Sequence, residues 1–457
     1  MRNRSRILAS AGMCLGVATL GLGLAYGCSA GPGVAVGDSG ATDSSSGDAG
    51  ALDAVAVDAP ARDAAAFPAP AWQPIAELPS GCDLYRAANP SSVLPPLAWE
   101  ACGAQRAGCR HLARATKPPY VAPVSELAIL HLAGRATLFY GRLSKDARGA
   151  PSAPLTYVAE NPDGEVTFAL GRPAEGGGCA VTMEMAESGL GLSAYVHRDA
   201  GAYYLAEFRS PSFAQSPLKT FPKTSWGVNP AEGADLRGYS NSAFYMFMNI
   251  PVGLAFVNFA TGQDGVVGSA TEKRPGLVPS VSVRDGSVGI EFNGGGDLGA
   301  LVWLDAKGGF SRITTVTFAR VVRGVAVDHG HDDDLVWLEL QEGSEASGLE
   351  LFTSPFTKDA AGLKKRKVAT DKPGGRVALA AHKGIAAFVN GEDSARVVRL
   401  ADGLGWTIKA DLGRTFTYVA GLTDDEVWIF SADEFRGLPD DILRIRLDSL
   451  GAPSAGP

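Results

Sequence analysis

The sequence predicts an all-β fold, a β-propeller of seven four-stranded blades, and three observations lead there. A short apolar phrase keeps returning. Asp333-Asp334-Leu335-Val336-Trp337-Leu338 comes back as Asp424-Asp425-Glu426-Val427-Trp428-Ile429. Weaker copies are Leu301–Leu304, Ala387–Val389, Ala255–Val257, Ala194–Val196 and Thr137–Tyr140. From Tyr195 to Val427 the mean spacing is about 46 residues, near the length of a four-stranded blade. Finally, 57 Gly and 28 Pro among 457 residues suit many turns and few long helices. With 46% hydrophobic residues, the chain is ample for a large core.

Residues 1–27 read as a secretory signal peptide. Arg2, Arg4 and Arg6 form a positive start, Ile7 to Ala25 is apolar, and Tyr26-Gly27 precede Cys28. Leu24-Ala25-Tyr26-Gly27-Cys28 resembles the lipobox of bacterial lipoproteins. The resemblance implies a lipid on Cys28, which becomes the first residue of the mature chain and anchors it to a membrane. Ala25 and Tyr26 depart from the Leu and small residue usual in that motif. Cleavage after Ala30 and an uncleaved anchor are the alternatives. Each places the body outside the cytoplasm: at the outer membrane or cell surface if lipid-anchored, otherwise secreted or periplasmic.

Residues 28–70 form a low-complexity acidic linker. Asp38, Asp43, Asp48, Asp53, Asp58 and Asp63 recur at every fifth position, with no aromatic before Phe67. Such a stretch buries too little apolar surface to offset its ordering entropy. It is expected to be a solvated tether spanning on the order of 35 Å. A calcium cage would need ligands at alternate positions around a tight turn, a spacing not present here.

Residues 71–120 are a Cys-containing segment with Cys82, Cys102 and Cys109; Cys179 follows, and Cys14 lies in the leader. Four cysteines in a secreted chain suggest two disulfides, with three possible connectivities. Cys102 and Cys109 bracket a loop holding Gly103 and Gly108, which favours that local pair and leaves Cys82 with Cys179. An oxidising compartment favours disulfides over a zinc site. Pro95-Pro96 and Pro118-Pro119 stop any long helix.

Residues 121–451 read strand, turn, strand, in about seven units. The last runs short after Leu447, and residues 452–457 are a loop-like tail. Leu97 to Cys102, or His111 to Thr116, is the expected source of a completing strand, since closure removes an open sheet edge. Several strands end in one style of turn, as in Asn258-Phe259-Ala260-Thr261-Gly262, Leu304-Asp305-Ala306-Lys307-Gly308 and Leu400-Ala401-Asp402-Gly403. These resemble the hairpins of quinoprotein and YVTN-type bacterial propellers. Only Trp406 matches the Trp that follows such turns there, so the resemblance implies the architecture and no named subfamily.

The densest polar cluster is Asp328-His329-Gly330-His331-Asp332-Asp333-Asp334. Asp328, His329, His331 and Asp332 are candidate ligands for a transition metal or calcium. The matching turn Thr423-Asp424-Asp425 has no His. The acidic part therefore reads as turn chemistry, and the two His remain unexplained. Lys364-Lys365-Arg366-Lys367 reads as edge protection or a contact for an anionic partner. Tyr245–Met248 with Trp226, Tyr239 and Phe244 reads as core packing or a glycan-stacking platform. Ser216-Pro217-Leu218-Lys219 has the Ser-x-x-Lys spacing of serine β-lactamases, but Pro211 and Pro222 flank it and no companion motif follows. The sequence shows neither Gly-x-Ser-x-Gly nor His-Glu-x-x-His, so no catalytic residue is assigned and no cofactor is predicted. A net charge of −8 argues against a nucleic-acid surface. The expected function is a monomeric binding or scaffold module at the cell envelope, for a protein or glycan partner. The alternative is an extracytoplasmic propeller enzyme of hydrolase, lyase or quinoprotein type.

Overall fold

A computed structural model describes the strands and part of their connections between residues 71 and 455. The signal peptide, Cys28, the 28–70 linker, Cys82, Cys179, Ser216 and the side chains around Tyr245–Met248 lie outside the described residues. Among the described residues the strands fall into seven antiparallel sheets. Their first strands are Tyr120–Leu132, Ala180–Ala186, Leu236–Gly238, Leu277–Val283, Arg320–Asp328, Leu379–His382 and Arg414–Leu422. From each first strand the next strands pair in chain order, as short turns rich in Gly and Asp dictate; the first and seventh sheets are extended by strands from the segment before the repeats. Asp305 shows how: its carboxylate accepts the backbone N–H groups of Lys307 and Gly309, both at 2.7 Å.

The first strands of several neighbouring sheets lie side by side. The fourth touches the fifth, the fifth the sixth, the sixth the seventh, and the seventh the first. That last contact brings the two ends of the repeat together. It is close because Gly421 has no side chain: a Cβ there would lie 2.6 Å from Ile129 Cβ.

The repeated phrase does not mark one fixed strand. Trp337, Trp428, Phe388, Tyr195 and Phe139 sit on the second strands of their sheets, whereas Trp303 and Phe256 sit on third strands. Both middle strands of a four-stranded sheet are covered on two faces, so the same apolar run fits either. Trp303, Trp337 and Trp428 are buried, each beside a cation: Lys358 at 4.8 Å, Lys365 at 5.9 Å and Arg444 at 4.3 Å from the ring centroid.

The segment before the repeats holds both sides of the seam. Trp72–Pro74 and Tyr85–Ala87 extend the first sheet outward. Trp99–Ala101 and Cys109–Leu112 form a hairpin whose second strand pairs with Pro439–Arg446, the last strand of the seventh sheet. Cys102 and Cys109 are joined by a disulfide across this hairpin, Cα to Cα 5.4 Å. Between the first and seventh sheets Leu97, Leu112, Ile129, Tyr140 and Trp428 pack in one core cluster. Trp99 meets Trp428 edge-to-face at 5.3 Å. Buried Arg444 lies over both rings, donates to Glu426 at 2.8 Å and reaches the Pro162 carbonyl of the first sheet at 3.0 Å.

The tail also docks. Ser454 and Gly405 exchange backbone hydrogen bonds of 2.8 and 2.9 Å, and Trp406 Nε1 donates to the Gly451 carbonyl at 2.9 Å. Arg106, in the disulfide loop, donates to the Lys409 carbonyl at the other end of the same strand. The outer edge of the sixth sheet, Gly405–Lys409, is thereby blunted from two directions.

Candidate functional site

At one end of the ring, the ends of four first strands come together. The inner strand of the fifth sheet ends at Asp328, which is fully buried. Its carboxylate accepts the backbone N–H of Lys383 at 2.6 Å, of Gly384 at 2.5 Å and of Gly330 at 3.2 Å. Lys383 and Gly384 are the two turn residues between Leu379–His382 and Ile385–Val389 in the sixth sheet. Their φ values of 45° and 78° fit the tight hairpin turn that matches strand twist. That turn points two N–H groups outward, and Asp328 takes both. Gly330 lets the two turns touch, since a Cβ there would lie 2.6 Å from Lys383 Cγ.

The seventh sheet grips the same turn from its other side. Asp424 Oδ2 accepts Lys383 Nζ at 2.6 Å, and Oδ1 accepts His382 Nε2 at 2.8 Å. The Lys383 ammonium, then the His382 imidazole, hold the Asp424 carboxyl below the usual carboxylate range. A lowered carboxyl pKa adds stability above the unfolded value, lost as pH falls through the folded one. Asp424 is two-thirds exposed, so this contribution is small.

The first sheet joins through His131. Its ring stacks on His382 with centroids 3.6 Å apart and planes 8° from parallel. His131 Nε2 donates to the Leu422 carbonyl at 2.9 Å, because a carbonyl can only accept. Two imidazoles from the first and sixth sheets therefore meet over the end of the seventh sheet's inner strand.

The candidate metal residues are placed otherwise. Asp328 faces the sixth-sheet turn. His329 Nδ1 lies 2.8 Å from Asp333 Oδ1, and exposed His331 Nδ1 lies 3.0 Å from Asp334 Oδ2. Asp332 and Asp333 carry φ of 54° and 59°, a conformation Asp tolerates. Among the described residues no group of three or more His, Cys, Asp or Glu converges to hold a metal ion. The hydrogen bond to Asp334 raises the His331 pKa. That pair favours the folded state at low pH and is lost as pH rises through the raised value. The basic run is engaged as well. Lys365 pairs with Glu339 and Lys367 with Glu350, both at 2.6 Å, while Arg366 donates to the Leu400 carbonyl of the sixth sheet at 2.8 Å.

No protein-family model matches the chain, and no curated protein matches it. Solved structures do. The WD40 domain of SCAP from fission yeast gives a TM-score of 0.41 at 9% identity, over 78% of this chain and 92% of that one. An oligogalacturonate lyase in complex with manganese gives 0.49 at 12% identity, over 78% and 98%. The oligogalacturonate lyase of Vibrio parahaemolyticus gives 0.50 at 10% identity, over 77% and 97%. The likeness at a TM-score of 0.50 concerns the fold alone, and it agrees with sheets whose first strands lie side by side. The chain is a β-propeller.

In propeller terms the site is one mouth of the central channel. His131, His382 and Lys383 were not singled out by the sequence reading. The signal for them is phase within the unit: Asp328, His382, Thr423-Asp424 and His131 all stand where an inner strand runs into its turn. Asp328→Ala is expected to lower stability by about 1–3 kcal/mol, because it takes the shared acceptor away from the Lys383 and Gly384 N–H groups in a part-buried site. Urea denaturation measures this, and Asp328→Asn should recover part of the loss.

Proposed function

We propose that the protein is an extracytoplasmic, lipid-anchored propeller that acts as a binding or scaffold module for a protein or glycan partner at the cell envelope. The Cys102–Cys109 disulfide carries this reading. It is built into the hairpin that completes the seventh sheet, and such bonds persist in oxidising compartments. The positive and apolar leader, Cys28 and the acidic linker support the anchor. The polar groups at the mouth support binding, since they brace the sheets and so present a preorganised surface. One observation favours the enzyme alternative: the carboxylate of Asp424 orients the His382 imidazole, as a general base requires. Bound quinone or stoichiometric metal in the purified protein would favour that alternative.

The anchor is tested by Cys28→Ser. The unaltered protein should partition with membranes and detergent, and the variant should move to the aqueous fraction. An unchanged partition would remove the lipid anchor from the proposal.

A further inference from the structure

The outer strand of the sixth sheet, Gly405–Lys409, has a cover that reaches only its ends. Its even-numbered residues turn their backbone groups inward: Arg399 N donates to the Leu404 carbonyl, and Ala410 N to the Asp393 carbonyl. Gly405, Thr407 and Lys409 therefore present theirs to the outside. Gly405 exchanges both bonds with Ser454, and the Lys409 carbonyl accepts from Arg106. Thr407 between them is exposed, and among the described residues its backbone N–H and carbonyl have no hydrogen-bond partner. The ladder with Ser454 does not lengthen towards Thr407, because Pro453 has no N–H to give.

The strand is complementary to itself. Set antiparallel against a second copy about Thr407, it places Thr407 opposite Thr407 and Gly405 opposite Lys409. Each of these has outward backbone groups to exchange. Trp406 comes opposite Ile408, an aromatic ring against a β-branched side chain, and Thr meets Thr; both are favourable cross-strand pairs. Lys409 meets a glycine, so no like charges face each other. The strand pairs with Ser394–Arg399 without a break in register and contains no Pro. It thus lacks two of the usual defences of an edge, and protection falls to the cover.

We propose that Gly405–Lys409 is a self-pairing edge whose occupant is a second copy of this chain, and that Gly451–Ser454 with Arg106 is the plug that keeps the chain monomeric. The plug has few holds. They are the Ser454 bridge, the bond from Trp406 Nε1 to the Gly451 carbonyl, and the Arg106 contact. Gly451 turns the chain onto the edge with φ 77° and ψ −157°, a backbone region essentially reserved for glycine. Once the plug is displaced, Gly405 and the Lys409 carbonyl join Thr407 as open groups, and two copies pair about a two-fold axis. Pairing uses the edge of the sixth sheet opposite to Leu379–His382, so it leaves the mouth uncovered.

The test compares the full chain with a full-length plug variant by analytical sedimentation at rising concentration, each with Cys28→Ser so that any lipid anchor is absent. The plug variant combines Gly451→Val, Ser454→Pro and Arg106→Ala. They strain the Gly451 backbone, remove the Ser454 N–H and uncover the Lys409 carbonyl. The chain with its plug is expected to stay monomeric, and the plug variant to double its sedimenting mass. Adding Thr407→Pro removes the outward N–H at the two-fold axis and spares the inner ladder, so the monomer should return. Thr407→Lys, which sets two ammonium groups face to face, is the second variant. Both lose the bond between the Thr407 hydroxyl and Arg396, so their urea midpoints are measured alongside. A plug variant that stays monomeric, or aggregates without stopping at a dimer, would overturn the proposal. So would a dimer formed with the plug in place, or one that persists in both Thr407 variants.

Discussion

A chain beginning at residue 113 is expected to lose most of its stability, by ~5 kcal/mol or more, a large share of what a domain ordinarily has. The missing segment would take away the hairpin Trp99–Ala101 and Cys109–Leu112, which pairs with Pro439–Arg446. That leaves the seventh sheet with an open outer edge, and open edges pair with other chains. Leu97 and Leu112 would leave the core cluster they share with Trp428 and Tyr140. Trp99 would no longer cover Arg444, so water would reach an ion pair that is now buried. Urea denaturation should show a lower midpoint, and size-exclusion chromatography should show association. A shortened chain that unfolds at the original midpoint would mean that the propeller closes without this segment.

Trp428→Ala is the second large effect, a loss of about 3–5 kcal/mol. The ring is almost fully buried, and its Nε1 donates to Glu426 at 3.1 Å. The substitution removes one wall of the Arg444 sandwich and leaves a cavity that the paired strands cannot collapse into. Trp428→Phe keeps most of the apolar area and should cost less than half as much. Trp337 makes a matching bond to Glu339 at 2.8 Å. Its cation Lys365 is less deeply buried than Arg444, so Trp337→Ala should perturb charge less while leaving a similar cavity. Denaturation of the three variants separates these contributions.

Much of the fold was legible because it depends on local pattern. Apolar runs of strand length, broken by Asp and Gly turns, mark each sheet, and the Trp of the phrase is buried wherever it occurs. The phase of the repeat was less legible, since either middle strand of a sheet can carry the same phrase; Trp303 and Trp337 show this. The Cys102–Cys109 bond was legible from its short loop. The mouth was not. His131 and His382 are far apart in the chain and meet only because the first and sixth sheets flank the seventh. Asp424 read as turn chemistry by comparison with Asp333 and Asp334, yet it reaches into the neighbouring sheet while they pair within their own turn. The repeat runs along the chain, whereas the contacts that build the site run around the ring.

Closure of the ring by the N-terminal segment is tested most directly by native-state hydrogen exchange on the intact protein. If the segment belongs to the ring, amides of Cys109–Leu112 and of Pro439–Arg446 open as one unit, with opening free energies within about 1 kcal/mol of each other. If Cys109–Leu112 exchanges far faster while Pro439–Arg446 stays protected, the segment is an appendage and the propeller is closed by other contacts.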